Sequence, residues 1–169
     1  MDVRVSDVRK WAGREEFTRV VEPWPHECQA RVEFPLINPA DVRVRVRNTG
    51  GALVVEVSGE AECQAQCARC LEPFGLRVPF SAVEEFREEP GPSDPNGDYS
   101  RFTGDRLVLD DLVADAVGLG LPMVSVCSPQ CRGLCPQCGV NWNQAPCECV
   151  PWPDDRLAGL RALLPPDRT

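Results

Sequence analysis

With 169 residues, 43% of them apolar, the chain is sized for one ordinary domain, or for a core domain with a small appendage, and can bury a real core. No apolar run approaches the roughly 18 residues of a membrane-spanning helix, and Met1-Asp2-Val3-Arg4 lacks the basic and apolar regions of a signal peptide, so a reducing, cytoplasmic setting is expected. The net charge of −8 opposes long-range attraction to phosphate unless basic groups gather locally, and those groups are nearly all arginine, Lys10 being the single lysine.

In chain order, Val3-Arg4-Val5 and Phe17-Thr18-Arg19-Val20-Val21 read as short strands, after which Pro23, Pro25, Pro35 and Pro39 break up the pattern. Val42-Arg43-Val44-Arg45-Val46-Arg47 alternates without a fault, the mark of a half-buried strand. Asn48-Thr49-Gly50-Gly51 supplies turn chemistry and Leu53–Val57 returns as the partner. Glu60–Gln66 is expected to continue as another strand towards Cys67, and Leu76–Phe86 to lead away from Cys70. Glu88–Gly104, rich in proline, glycine and acid, reads as a mobile loop. Asp110 is placed to cap a helix running to about Gly120, with Leu112, Val113, Ala116, Val117 and Leu121 at helical spacing. A last helix is expected after Asp154 or Asp155, with Leu157, Leu160 and Leu164 on one face. The expected class is α+β: an antiparallel sheet core with one or two short helices over 1–122, and a cysteine-rich, zinc-ribbon-like tail over 123–169.

Ten cysteines inside a reducing compartment point to metal ligation before disulfides. A tetrahedral ion needs four soft donors at about 2.3 Å, and two cysteines separated by two residues supply half of them from one tight turn. Cys135-Pro136-Gln137-Cys138-Gly139 is such a turn, with Pro136 presetting the backbone and Gly139 allowing the left-handed residue that follows. Eight residues later Cys147-Glu148-Cys149 can loop back to complete a four-thiolate site. Four free buried thiols are a poor alternative, because this polar, proline-rich segment offers no apolar core to hide them. Cys67 and Cys70 with Cys127 and Cys131 form a second expected set, which would staple distant segments of the chain. Spacing leaves other partitions among Cys127, Cys131, Cys135 and Cys138 open. Cys28 and Cys63 read as small buried thiols, with Cys63 a possible substitute ligand, and His26, among prolines, as a surface residue. All-sulfur sites are closed, so a structural role for two zinc ions is expected, with iron as the alternative. No nucleophile–base set or phosphate-cradling loop is present, and Glu84-Glu85 and Glu88-Glu89 read as solvated acids, so no enzymatic activity and no small-molecule substrate are expected.

Taken together, Cys67-Ala68-Arg69-Cys70-Leu71-Glu72-Pro73-Phe74, Asp110 or Asp111 with Leu112, Leu121-Pro122-Met123, and the tail from Cys127 through Cys131-Arg132-Gly133-Leu134-Cys135 to Cys149 resemble the YceD family, proteins named for large-subunit ribosomal RNA accumulation. The resemblance covers about Cys67 to Leu164. It implies a non-catalytic factor working with a large-subunit precursor, its rRNA or a ribosomal protein. It marks Cys67, Cys70, Cys127 and Cys131 as a core set, and Cys135, Cys138, Cys147 and Cys149 as a tail set that some relatives lack. Asp154-Asp155-Arg156-Leu157 departs from the family's frequent Asp-Pro-Arg, and Arg132 stands for a common lysine; neither change touches a ligand.

Arg43, Arg45 and Arg47 share one strand face at about 6.5–7 Å intervals, close to the phosphate repeat of an extended strand. An ordinary solvent face, paired with cross-strand acids such as Glu56, explains them at least as well. Arg69 and Arg132, beside the knuckles, are further candidates for RNA or partner contact. Two other functions compete: rubredoxin-like electron transfer, because Cys-Pro-x-Cys-Gly also occurs at four-thiolate iron sites, and a zinc-stabilised protein adaptor without RNA contact, which the acidic balance favours.

Overall fold

Alternation along 40–66 builds the centre of the structure, a computed structural model that describes residues 1–89 and 98–149. Strands β1 (Asp2–Arg4), β2 (Glu15–Glu22), β3 (Ala40–Asn48), β4 (Leu53–Gln66), β5 (Pro73–Glu88), β6 (Ser100–Phe102) and β7 (Arg106–Val108) are joined by α1 (His26–Arg31) and α2 (Asp110–Gly120), with a 3-10 turn at Val8–Lys10. Five strands pair in the order β2-β3-β4-β5-β6, and β1 pairs with β7 in a second, two-stranded sheet. All pairings are antiparallel except β5–β6, which runs parallel through Phe86↔Ser100. The expected α+β class therefore holds, with one parallel pair added to the antiparallel sheet.

Contacts divide the chain into two units, Met1–Ala68 with Glu72–Cys127, and Arg69–Leu71 with Ser128–Thr169. In the first, Val42, Val44 and Val46 of β3, Val55, Val57, Ala61 and Cys63 of β4, and Val78, Phe80 and Phe86 of β5 face inward. Val113, Ala114, Ala116 and Val117 of α2 join the same core. Each fully buried Val or Phe removes apolar surface worth about 1.5–3 kcal/mol, so this face is the main source of the first unit's stability.

Several elements differ from the sequence reading, each for a physical reason. Glu60–Gln66 is not a separate strand, because β4 runs unbroken for 14 residues. Ser58-Gly59 suggests a break, but Gly59 sits opposite Phe80, and a Cβ there would meet Phe80 Cζ at 2.6 Å and Asp41 O at 2.7 Å. The missing side chain makes room for the ring. Gly59→Ala is expected to cost about 1–3 kcal/mol, since Asp41 O is backbone and cannot step aside; chemical denaturation measures it, and an unchanged midpoint would show that the ring moves freely.

Helix α1 lies within the proline-rich stretch read as broken; at six residues it is too short to show a period, and burial of Cys28 and an Arg31–Asp111 ion pair at 2.7 Å anchor it. Asp110 does not cap α2. Leu109 occupies the cap position with no side-chain bond, and Asp110 and Asp111 stand in the first turn, where the helix dipole favours acids. Residues 100–102, read as part of a mobile loop, form β6, with Phe102 buried and Ser100 Oγ 3.1 Å from a Glu84 carboxylate oxygen. Three-residue strands like β6 and β7 carry no period of their own. Residues 90–97, from the same expected loop, and the expected last helix after Asp154 lie outside the described residues. Among the described residues no helix is long and apolar enough to cross a membrane.

Candidate metal centres

The two cysteine knuckles share one backbone design. In Cys135–Gly139, Gly139 N–H donates to Cys135 O at 2.9 Å and Cys135 N–H to Val140 O at 2.9 Å, while Gly139 takes φ +73°. In Cys67–Leu71, Cys67 N–H donates to Glu72 O at 2.9 Å, again five residues on, and Leu71 takes φ +60°. Leucine pays a steric cost in the left-handed region, roughly 1–2 kcal/mol, that glycine escapes. That a leucine is held there marks the shape of the loop as what the site requires.

Four sulfurs come together at each of two places. The Sγ atoms of Cys67, Cys70, Cys127 and Cys131 lie within 4.8 Å of one another, and so do those of Cys135, Cys138, Cys147 and Cys149. A tetrahedral ion with metal–sulfur bonds of about 2.3 Å sets its sulfurs about 3.8 Å apart, so each group can close on an ion by small side-chain movements. Among the partitions that spacing left open, this is the one the fold assembles. Cys28 and Cys63 stand apart, fully buried, with Cys63 Sγ 3.6 Å from Leu76 O. Burial pushes the Cys28 thiol up to about 11 and raises Cys63 as well, which keeps both protonated.

The tail group shows why bare thiols would be uneasy neighbours. Backbone N–H groups of Cys138 and Gln137 pull Cys135 down to about 6, whereas the hydrogen bond with Cys138 pushes Cys149 up to about 12. Four sulfurs this close cannot all ionise against one another's charge; a divalent cation removes the conflict. Four thiolates on one ion would complete a tetrahedral donor set at either group.

Side chains between the cysteines do more than turn the chain. Trp142 Nε1 donates to Cys147 Sγ at 3.1 Å and Asn143 Nδ2 to Cys131 Sγ at 3.3 Å. Asn143 Oδ1 accepts from Arg132 N–H at 2.8 Å, and Asn141 Oδ1 accepts from Asn143 N–H at 3.0 Å. Such N–H···S bonds orient a thiolate and spread its charge. The only signal for this role in the sequence is two amide donors and an indole held between ligands. Trp142 N–H also bonds Gly133 O at 2.9 Å, pinning the hairpin that the Leu134↔Asn141 bridge closes. Arg69 donates from Nη1 to Pro129 O at 3.1 Å and Cys131 O at 3.0 Å, so its head is engaged in holding this loop.

Arg43, Arg45 and Arg47 do share the solvent side of β3. Arg45 pairs with Glu15 at 3.1 Å and with Glu56 at 3.6 Å, the cross-strand acid anticipated above. His26 is exposed, as expected of a surface residue.

An α+β protein carrying two four-cysteine groups is the class that fold and sites define. Its match to a family model covers residues 55–164, and the chain belongs to that family, described as large ribosomal RNA subunit accumulation protein YceD. Among curated proteins it is similar to an uncharacterized protein of Mycobacterium tuberculosis, 34% identical over 130 residues, which is 75% of this chain and 63% of that protein. An uncharacterized Mycobacterium leprae protein is 29% identical over 143 residues, covering 76% of this chain and 61% of its own length. The chain thus spans a little under two thirds of these relatives. No solved structure matches.

Proposed function

We propose that the protein is a non-catalytic, zinc-stabilised factor that supports accumulation of large-subunit ribosomal RNA, acting in the cytoplasm on an assembling large-subunit particle. Family membership supplies the pathway; the observation that carries the physical role is the pair of four-thiol groups. Cys67, Cys70, Cys127 and Cys131 hold one ion, and Cys135, Cys138, Cys147 and Cys149 the other. The core cluster takes no side chain from the described part of the tail, 128–149, so apolar burial cannot be what shapes it. Metal binding worth on the order of 10–16 kcal/mol in small zinc peptides is sufficient. The tail then presents a fixed surface, with Arg132 exposed beside the knuckle, to a particle rich in RNA and basic proteins.

Complementation tests this reading. In a host lacking its own copy, the wild-type chain is expected to restore the ratio of large- to small-subunit rRNA, and Cys135→Ser or Cys138→Ser to fail. An rRNA ratio indifferent to loss of the protein would overturn the assignment. A colourless protein with stoichiometric zinc fits the scaffold role, whereas a red, iron-loaded protein would favour electron transfer.

A further inference from the structure

The solvent side of the sheet carries a feature that neither the core nor the metal groups use. Phe17 is 71% exposed near the start of β2, the edge strand, and lies in register with Arg45, whose guanidinium carbon is 5.4 Å from the ring centroid. Beside this pair opens a concavity of about 540 Å³, lined by Phe17, Arg19, Arg43, Arg45, Glu56 and Ser58 among others. Its size falls in the range of about 300–1,000 Å³ that accepts a nucleotide-sized ligand.

The arginines around it differ in how they are engaged. The lining includes three arginines and one glutamate, in a chain whose net charge is −8. Arg19 is turned aside to Asp41, with Nε and Nη2 on the two carboxylate oxygens at 2.6 and 2.5 Å. Arg45 is shared between Glu15 and Glu56. Arg43 is different: its cross-strand neighbours are Arg19 on one side and Ser58 on the other, and among the described residues it makes no ion pair. Along β3 Arg43 stands between Asp41 and Arg45, and because both oxygens of the Asp41 carboxylate are already taken by Arg19, the Arg43 guanidinium is the one left open to an added anion.

We infer that this face binds single-stranded RNA, with a base stacked on the Phe17–Arg45 pair and a phosphate on Arg43; the inference rests on the large-subunit reading and names its direct contact. An exposed aromatic ring beside arginine on an open sheet is a stacking platform, and stacking needs bases that are free of a helix. The interval of about 6.5–7 Å between alternate residues of β3 sets Arg43 about one nucleotide's span from the Phe17–Arg45 pair, so an extended strand can place a base on the pair and its neighbouring phosphate on Arg43. Ser58 adds a hydroxyl within the concavity for a sugar or base edge. A duplex hides its base faces and gains nothing from Phe17. Because the acids beside Arg45 must yield when phosphate arrives, binding is salt-sensitive and strengthened by Glu56→Gln.

Fluorescence anisotropy with the full, metal-loaded chain tests this, using a labelled RNA of about 12 nucleotides in single-stranded and duplex form. The wild type is expected to prefer the single strand. Phe17→Ala should weaken it roughly five- to 100-fold, as the loss of one stacked base does. Arg43→Gln should weaken it and flatten the salt dependence by about one unit of slope. Both side chains are exposed, so unchanged melting will show that the fold is intact. No single-strand binding at about 50 mM salt, or variants that bind like the wild type, would overturn the inference. So would RNase-resistant capture of a ribosomal protein that depends on Phe17 and Arg43, because the face would then be a protein-docking surface. If rRNA levels in the complemented host respond to the cysteine variants while RNA binding fails, only this inference falls; if rRNA levels do not respond, the large-subunit reading falls with it.

Discussion

Cys67→Ser and Cys70→Ser proteins are expected to lose thermal stability throughout the chain, with the melting temperature falling by roughly 10 °C or more. Both sulfurs are buried, Cys67 fully and Cys70 to 4% exposure, at the end of the long strand β4. Serine offers a poor donor, and three remaining thiolates in a closed site would lack the fourth ligand that balances the ion. There is also a chain-entropy cost. An ion shared by Cys67 and Cys127 closes a loop between residues 60 positions apart. By analogy with a disulfide, a cross-link over such a loop restricts the unfolded chain by about 4 kcal/mol, a large share of the 5–15 kcal/mol that holds an ordinary domain together. Thermal unfolding followed by circular dichroism measures the effect. A melting temperature equal to the wild type's would show that this group binds nothing that matters to the fold.

Cys135→Ser and Cys138→Ser should behave differently. Their sulfurs belong to a group whose four members all fall within 135–149, so losing the ion releases a short stretch and not a long loop. The hairpin closed by Leu134 and Asn141, and the Trp142 and Asn143 bonds that converge on sulfur, should open together. Hydrogen exchange is expected to show loss of protection across 131–145, while β3, β4 and β5 keep theirs, because their core faces take no residue from this segment. The melting of the sheet should move by only a few degrees at most. Equal losses of stability for the two classes of substitution would contradict the division of the eight cysteines into two sites.

What could be read from the amino-acid order follows from where local chemistry is sufficient. The valine–arginine alternation of β3 is legible because one face is buried and the other is not, and the return through Leu53–Val57 follows from the turn between them. The cysteine knuckles are legible because two thiols and a left-handed residue at fixed offsets have few other uses. Leu71, in the conformation that Gly139 adopts, hides the likeness of the two knuckles from any reading by residue type. Helix α1, β6 and β7 are set by what they pack on, and their own three to six residues show no period that announces them. Gly59 looks like a break until Phe80 is seen to need its space. The bonds from Trp142 and Asn143 to sulfur depend on how the chain loops back, and that return is itself organised by the cysteines. The ion pairs that occupy Arg19 and Arg45, and so single out Arg43, likewise require the register of three strands.

Native mass spectrometry of the purified full chain, before and after chelator, addresses the metal-fastener account at its root. Two divalent ions per chain are expected, released by chelator with protons taken up by the freed thiols, and accompanied by a broader charge-state distribution as the tail opens. A chain that carries no metal when isolated under reducing conditions, and whose charge states and tail protection are the same with and without chelator, would contradict it.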